Sequence, residues 1–162
     1  MVLSQDQEMV RDAVRAFSKE QLWPNAARWD KEHQFPKEAH KGLAALGAYG
    51  ICVPEEFGGA NLDYLTLALV LEEIAAGDGG TSTAISVTNC PVNAILLRYG
   101  NTDQKKQWLA PLAQGEMLGA FCLTEPHVAR MHRRCAPAPA KTGTVTCSTG
   151  SSSSSPAARM AR

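Results

Sequence analysis

Val10, Ala13, Val14 and Phe17 recur at three- and four-residue intervals, and Gln7 stands three positions after Ser4. That spacing puts apolar side chains on one face of a helix, and Ser-x-x-Gln has the form of a capping box at its start. Pro24 breaks or restarts the helix, and residues 25–32 continue it. In "QFPKEAHKGLAALGAYG" Pro36 suits a first helical position, Leu43 and Leu46 share a face, and Gly47 is a stop signal. "VPEEFGGAN" reads as a turn, punctuated by Pro54 and the Gly58-Gly59 pair.

From Leu62 to Ala76 the chain is apolar around nearly the whole circumference of a helix, which predicts enclosure by other helices. "TSTAISVTNCPVNAILLRYG" reads as a second buried helix, kinked at Pro91. Thr102 is placed to cap "DQKKQWLAPLAQG", with Trp108 and Leu109 facing inward and Gly115 at its end. "EMLGAFCLTEP" then changes period and predicts a β-strand closed by Pro126. The pattern is mainly α: five or six helices and one strand, whose sheet partners must lie further along the chain because a lone strand leaves its backbone groups unpaired.

Charge divides the chain where the pattern does. Residues 1–128 carry all 16 acidic residues and 10 Lys/Arg, a net of 10 − 16 = −6, whereas residues 129–162 carry 6 Lys/Arg and no acid. The second stretch has no Leu, Ile, Phe, Trp or Tyr, so it cannot bury enough apolar surface to offset its ordering entropy and is expected to be a disordered tail. No apolar run is long enough to cross a bilayer. "MVLSQDQEMVRD" lacks the basic start and apolar stretch of a secretory signal, and its acids argue against a transit peptide, so a cytoplasmic location is expected. The five cysteines include no CxxC and are read as reduced thiols.

Candidate chemistry is sparse on these grounds alone. Cys122, His127, His132 and Cys135 have a spacing that invites zinc, but they lack the tight Cys pairs of a zinc knuckle, and no metal site is expected. Arg130, Arg133 and Arg134 have no aromatic interleaving and read as a solvated basic tail rather than a nucleic-acid contact. Glu55-Glu56 and Glu72-Glu73 read as a turn and a helix edge in water, since adjacent helical residues do not face each other. No GxGxxG, Walker loop or GxSxG is present.

Three separated signals carry more. "VPEEFGGANLDYLTLALVLEEIA", "YGNTDQKKQWLAPLAQGE" and "GAFCLTEP" occur in the order and at the spacings of the acyl-CoA dehydrogenase family, which the chain resembles over most of residues 1–128. The resemblance implies a helical N-terminal domain over 1–115, the first strand of a middle β-domain over 116–128, and a low-complexity tail over 129–162. It implies an FAD-dependent oxidoreductase of fatty acid or amino acid catabolism that dehydrogenates an acyl-CoA thioester between its α and β carbons. A carboxylate base takes the α-proton while the hydride passes to the flavin, and hydrogen bonds to the thioester carbonyl stabilise the developing charge. By the same resemblance Phe121, Leu123 and Thr124 would line the isoalloxazine, and Thr88, Asn89, Pro91 and Val92 the acyl pocket. The implied partners are an acyl-CoA and an electron-transfer acceptor, the implied assembly is a homotetramer, and neither nucleic acid nor membrane is a partner. Two alternatives stand beside this reading: a non-catalytic helical interaction module, and a monooxygenase or nitroalkane-oxidase relative on the same fold.

After Thr-Glu-Pro the family continues with Gly-Ser-Asp, whereas this chain has "HVARMHRR". Codons chosen for "HVARMHRRC" read His-Val-Gly-Ser-Asp-Ala-Ser-Ala-Leu when one G is restored after Val128. The same offset turns "KTGTVTC" and "CSTGSSSSSPAARMAR" into strand-like text. A one-base shift near Val128 is therefore expected, giving a truncated, inactive chain without the region that carries the catalytic base.

Overall fold

Ser4 opens the first helix as its spacing predicts: its hydroxyl accepts from Gln7 N–H at 3.2 Å and the Gln7 side chain accepts from Ser4 N–H at 3.0 Å. In the computed structural model, residues 2–122 are described. Helix α1 (Gln5–Phe17) runs into a π-helical turn (Ser18–Leu22) and stops at Pro24. Helix α2 (Ala26–Glu32) ends on His33 in the left-handed region, and α3 (Lys37–Ala45) follows with Pro36 at its N-cap. Gly47, at a φ of 74°, turns the chain out of α3. Leu43 is fully buried, but Leu46 falls at the C-cap and is exposed, so the face expected of the two is not shared.

A short 3-10 turn (Glu55–Phe57) stands at the expected Pro-Gly-Gly punctuation. Backbone bonds Ala60 N–H to Gly50 O at 2.8 Å, Asn61 N–H to Val53 O at 2.8 Å and Leu62 N–H to Ile51 O at 2.7 Å close it into a loop. Asp63 then caps α4 (Tyr64–Gly77), and hydrogen bonds from the Thr66 hydroxyl and amide hold the Asp63 carboxyl below its ordinary pKa. Asp78 caps α5 (Gly79–Val87). A second π-helical stretch (Thr88–Asn93) leads to α6 (Ala94–Tyr99). The last helical run is α7 (Thr102–Gln104), a π-helical turn (Lys105–Leu109) and α8 (Ala110–Ala113). Its cap is Asn101 rather than Thr102, because Asn101 Oδ1 accepts from Gln104 N–H at 2.8 Å and the Gln104 side chain accepts in return from Asn101 N–H.

Two apolar clusters hold the body together. Val14, Leu22, Leu43, Tyr49, Leu67 and Ile74 are fully buried members of the larger one, which joins α1, α3, α4 and α5. Val53, Leu96, Leu109 and Leu112 centre the smaller, with Trp108 half-buried against it. Each buried Leu or Ile side chain contributes about 1.5–3 kcal/mol. Within this body α4 is not enclosed all round: Thr66, Leu67, Val70 and Ile74 are buried, while Tyr64 and Leu65 are exposed. A uniformly apolar helix needs cover on both sides, and α1 and α5 supply one. Glu73 is likewise no solvated helix edge. It takes a two-pronged bond from Arg15, at 2.6 and 3.0 Å, tying α1 to α4 and raising the Arg15 pKa.

The strand expected over 116–128 is absent as far as the structure describes it. Residues 116–122 form bends and open chain, and no strand occurs among the described residues. The physical reason is the one that predicted its need for partners: no second strand lies among them to complete a ladder. The tail over 129–162, the remainder of 116–128 and the residues His127, His132 and Cys135 lie outside the described residues. Among the described residues no group of three metal-ligating side chains occurs.

Candidate functional site

Pro91 sets the geometry of the segment that the family resemblance marks as a pocket wall. A proline inside a helix removes a ladder hydrogen bond and crowds the preceding turn. Instead of a simple kink, the chain widens to π-helical geometry from Thr88 to Asn93. The wide turn carries three buried polar side chains, Thr88, Asn89 and Asn93. Asn89 Nδ2 donates to Ala48 O at 2.9 Å and to Ile85 O at 3.1 Å, and Asn93 Nδ2 donates to Tyr49 O at 2.9 Å. The two amides thus pin the loop after α3 to the wide turn. Their carbonyl oxygens, Asn89 Oδ1 and Asn93 Oδ1, are buried without a hydrogen-bond partner.

Thr88 has both hydroxyl functions engaged. It donates to Ala84 O at 3.0 Å and accepts from Gly119 N–H at 3.2 Å. Val92 lies one turn on and packs against the same glycine, where an added Cβ would stand 3.0 Å from the Val92 side chain. The chain leaving α8 is therefore fixed across the wide turn at one register. Two residues later Phe121 is half exposed.

This junction brings together parts of the two residue groups named from sequence. Thr88 and Val92 meet the segment that leads to Phe121; Asn89 is turned to the loop behind; Pro91 is half-buried. Leu123 and Thr124 lie outside the described residues. Sequence reasoning did not nominate Asn93 or Gly119, although a glycine two residues before an aromatic was a visible signal of close backbone approach. Thr88→Val keeps the shape and removes the acceptor. Amide exchange at Gly119 is expected to rise about tenfold or more, as loss of one hydrogen bond implies, while Thr88→Ser retains protection. Unchanged exchange in Thr88→Val would show that the bond does not hold the segment.

Behind the loop, Tyr49 and His40 form a buried pair. His40 Nδ1 is hydrogen-bonded to the Tyr49 hydroxyl, and Phe35 stacks on the imidazole with ring centroids 4.5 Å apart. Burial lowers the His40 pKa, against a smaller opposing pull from Asp78, and burial raises that of Tyr49. Burial also pushes the nearby Cys52 thiol up to about 11, which leaves it a poor nucleophile at neutral pH. A neutral His40 accepts a hydrogen bond at Nδ1 from the Tyr49 hydroxyl, which keeps its proton. Because its folded pKa lies below the unfolded value near 6.5, its contribution is present above that pH and is lost as pH falls through it. Urea midpoints are expected to drop between about pH 7 and pH 5 for this reason, and His40→Gln should flatten that drop. An equally steep fall in His40→Gln would place the titration elsewhere.

Residues 4–116 match the family described as acyl-CoA dehydrogenase, N-terminal domain. The chain belongs to the acyl-CoA dehydrogenase family. Short-chain specific acyl-CoA dehydrogenase, mitochondrial, of Bos taurus is 40% identical over 124 residues, covering 76% of this chain and 30% of that protein. The short-chain specific acyl-CoA dehydrogenase of Clostridium acetobutylicum is 36% identical over 125 residues, covering 77% and 33%. Among solved structures, butyryl-CoA dehydrogenase from Megasphaera elsdenii superimposes with a TM-score of 0.73 at 31% identity, covering 78% of this chain and 34% of that one. This family member spans about a third of the length of the relatives it matches. Its fold is the helical N-terminal domain of acyl-CoA dehydrogenases, and no described helix is long and apolar enough to cross a membrane.

Proposed function

We propose that the protein encoded in this family frame is an FAD-dependent dehydrogenase of acyl-CoA thioesters with short acyl chains. The observation that carries the reading is the Thr88–Gly119–Val92 junction, which joins the helical wall assigned to the acyl chain to the segment assigned to the flavin. The short-chain preference rests on the two short-chain specific relatives.

The described residues suit a flavin at one edge. Met117–Phe121 carries no charged side chain, and the half-exposed Phe121 ring offers an apolar surface for an isoalloxazine. Phe121, with Leu123 and Thr124 beyond it, would hold the ring, and bound FAD would supply the hydride acceptor. Pro91 and Val92 would face the acyl chain and exclude water from it, with Thr88 and Asn89 holding the wall from behind. No residue of this chain is assigned the role of base. The electron-transfer acceptor and the homotetramer belong to the same proposal, as does a domain division at residues 115 and 128.

The shift in frame at Val128 enters the test. Sequencing the gene across the Val128–Ala129 codons should show a single-base restoration that continues an open frame. The restored product should bind FAD stoichiometrically and reduce an artificial acceptor with butyryl-CoA. The 162-residue chain should bind little FAD and turn over no acyl-CoA. A restored product without flavin, or one that ignores every acyl-CoA in a chain-length panel, would overturn the function.

A further inference from the structure

The corner between α1, α2 and α3 forms an open cleft of about 450 Å³ that no residue of the junction lines. That volume lies within the range of small-molecule sites. Three aromatic rings line it: Phe17, half-buried from α1; Trp29, half-buried on α2; and Phe35, which rests on His40 through the ring stack. Its charged lining residues are Arg28, Lys37 and Glu38. Glu38 is already paired with Lys41 at 2.8 Å, whereas Arg28 and Lys37 make no salt bridge among the described residues. Asn25 Oδ1 accepts from Arg28 Nη2 at 2.9 Å, and Asn25 Nδ2 is in turn held by Gln21 O at 2.9 Å. The guanidinium is thus oriented by a neutral amide and keeps its remaining donors free.

The sign of this cleft runs against that of the body around it. Residues 1–128 carry a net −6, yet here two uncompensated cations stand beside aromatic walls. A body of that charge disfavours anions in general, so a local positive cleft selects an anion that also has something to offer the rings. Aromatic faces favour a flat partner, and a guanidinium fork favours the planar oxygens of a carboxylate or phosphate.

We propose that this cleft binds a small planar aromatic anion, with its ring against Trp29 and Phe35 and its acidic group at Arg28 and Lys37. The site is independent of the proposed dehydrogenase chemistry and needs no residue of the Thr88–Gly119 junction.

Isothermal titration of the full chain with four probes tests it. 2-Naphthoate carries ring and carboxylate, adenosine 5′-monophosphate carries ring and phosphate, 2-naphthol lacks the charge, and cyclohexanecarboxylate lacks the flat ring. One of the first two is expected to bind one-to-one with a Kd below about 1 mM, and the two incomplete probes about tenfold more weakly or worse. Which of the first two binds more tightly decides between carboxylate and phosphate. The double variant Arg28→Gln/Lys37→Gln should lose about tenfold in affinity. Both side chains are exposed, so the fold should survive and circular dichroism will show it. Arg98→Gln, a cation placed over Tyr99 on α6, should bind like the parent chain. Absence of saturable binding by both aromatic anions, equal binding of 2-naphthol, or full affinity in the double variant would each overturn the proposal.

Discussion

Gly59→Ala is expected to destabilise the body by at least about 3 kcal/mol, at the upper end of what overpacking costs. A Cβ at residue 59 would overlap the carbonyl oxygen of Val53 and lie 2.5 Å from its carbonyl carbon and its Cβ. The carbonyl oxygen and carbon are backbone atoms and the Cβ is rigidly attached to that backbone, so none is the tip of a side chain that can swing away. The Val53 carbonyl accepts Asn61 N–H at 2.8 Å, and Val53 itself is buried in the smaller apolar cluster. Relief would have to open the loop and with it the Gly50–Ala60 and Ile51–Leu62 bonds. Urea unfolding followed by circular dichroism measures the loss. Gly79→Ala is the control, because nothing stands within 4 Å of a Cβ there. It should be neutral or gain up to about 1 kcal/mol from its helical position. A loss below about 1 kcal/mol for Gly59→Ala would mean that the loop adjusts without cost, contrary to the clash.

Asn93→Asp should be the second large effect, and it should depend on pH. Asn93 is 1% exposed, and its amide nitrogen is the donor to Tyr49 O. The substitution replaces that donor with an acceptor and sets a carboxylate against a carbonyl oxygen in a site without water access. Breaking such a buried contact and leaving a charge uncompensated costs about 3–5 kcal/mol. The buried carboxyl would titrate above the unfolded value near 3.9, so the penalty is full at neutral pH. It shrinks as pH falls through the raised folded value, because the protonated acid can donate to Tyr49 O. The difference in urea midpoint between parent and variant should therefore narrow from pH 7 towards pH 4.5, with His40→Gln as a common background to remove the histidine titration. A gap that is small at pH 7, or constant with pH, would show that the site admits water to the carboxylate.

Much of the helical frame was legible because its signals are local. Ser4 and Gln7 lie three residues apart and satisfy each other before any tertiary contact forms; Gly47 and Gly115 adopt the positive φ that a side chain would resist. The same locality explains the misassignment at the last helix. Asn101 and Thr102 are both competent caps, and only the return bond from Gln104, set by a three-residue spacing from Asn101, separates them. For α4 the pattern was read correctly as apolar on all sides, but sequence cannot say which side the chain itself covers. Family membership was legible from three motifs in register. The resemblance names Thr88 and Asn89 as wall residues, and the structure adds what spacing does not record, that both polar groups are turned to backbone partners.

The sequence by itself determined a mainly helical, acidic body, the order of its main helices and its family, because those follow from periodicity, capping chemistry and spaced motifs along one dimension. Only the tertiary structure decided that Pro91 widens its helix rather than kinking it, that Glu73 belongs to Arg15, and that Gly119 lies across Thr88 and Val92. Each of those depends on groups between 27 and 58 residues apart, or on how a wide turn packs against its neighbours. A hydrogen bond or a van der Waals contact is decided within a few ångströms of space, a scale that spacing along the chain does not record.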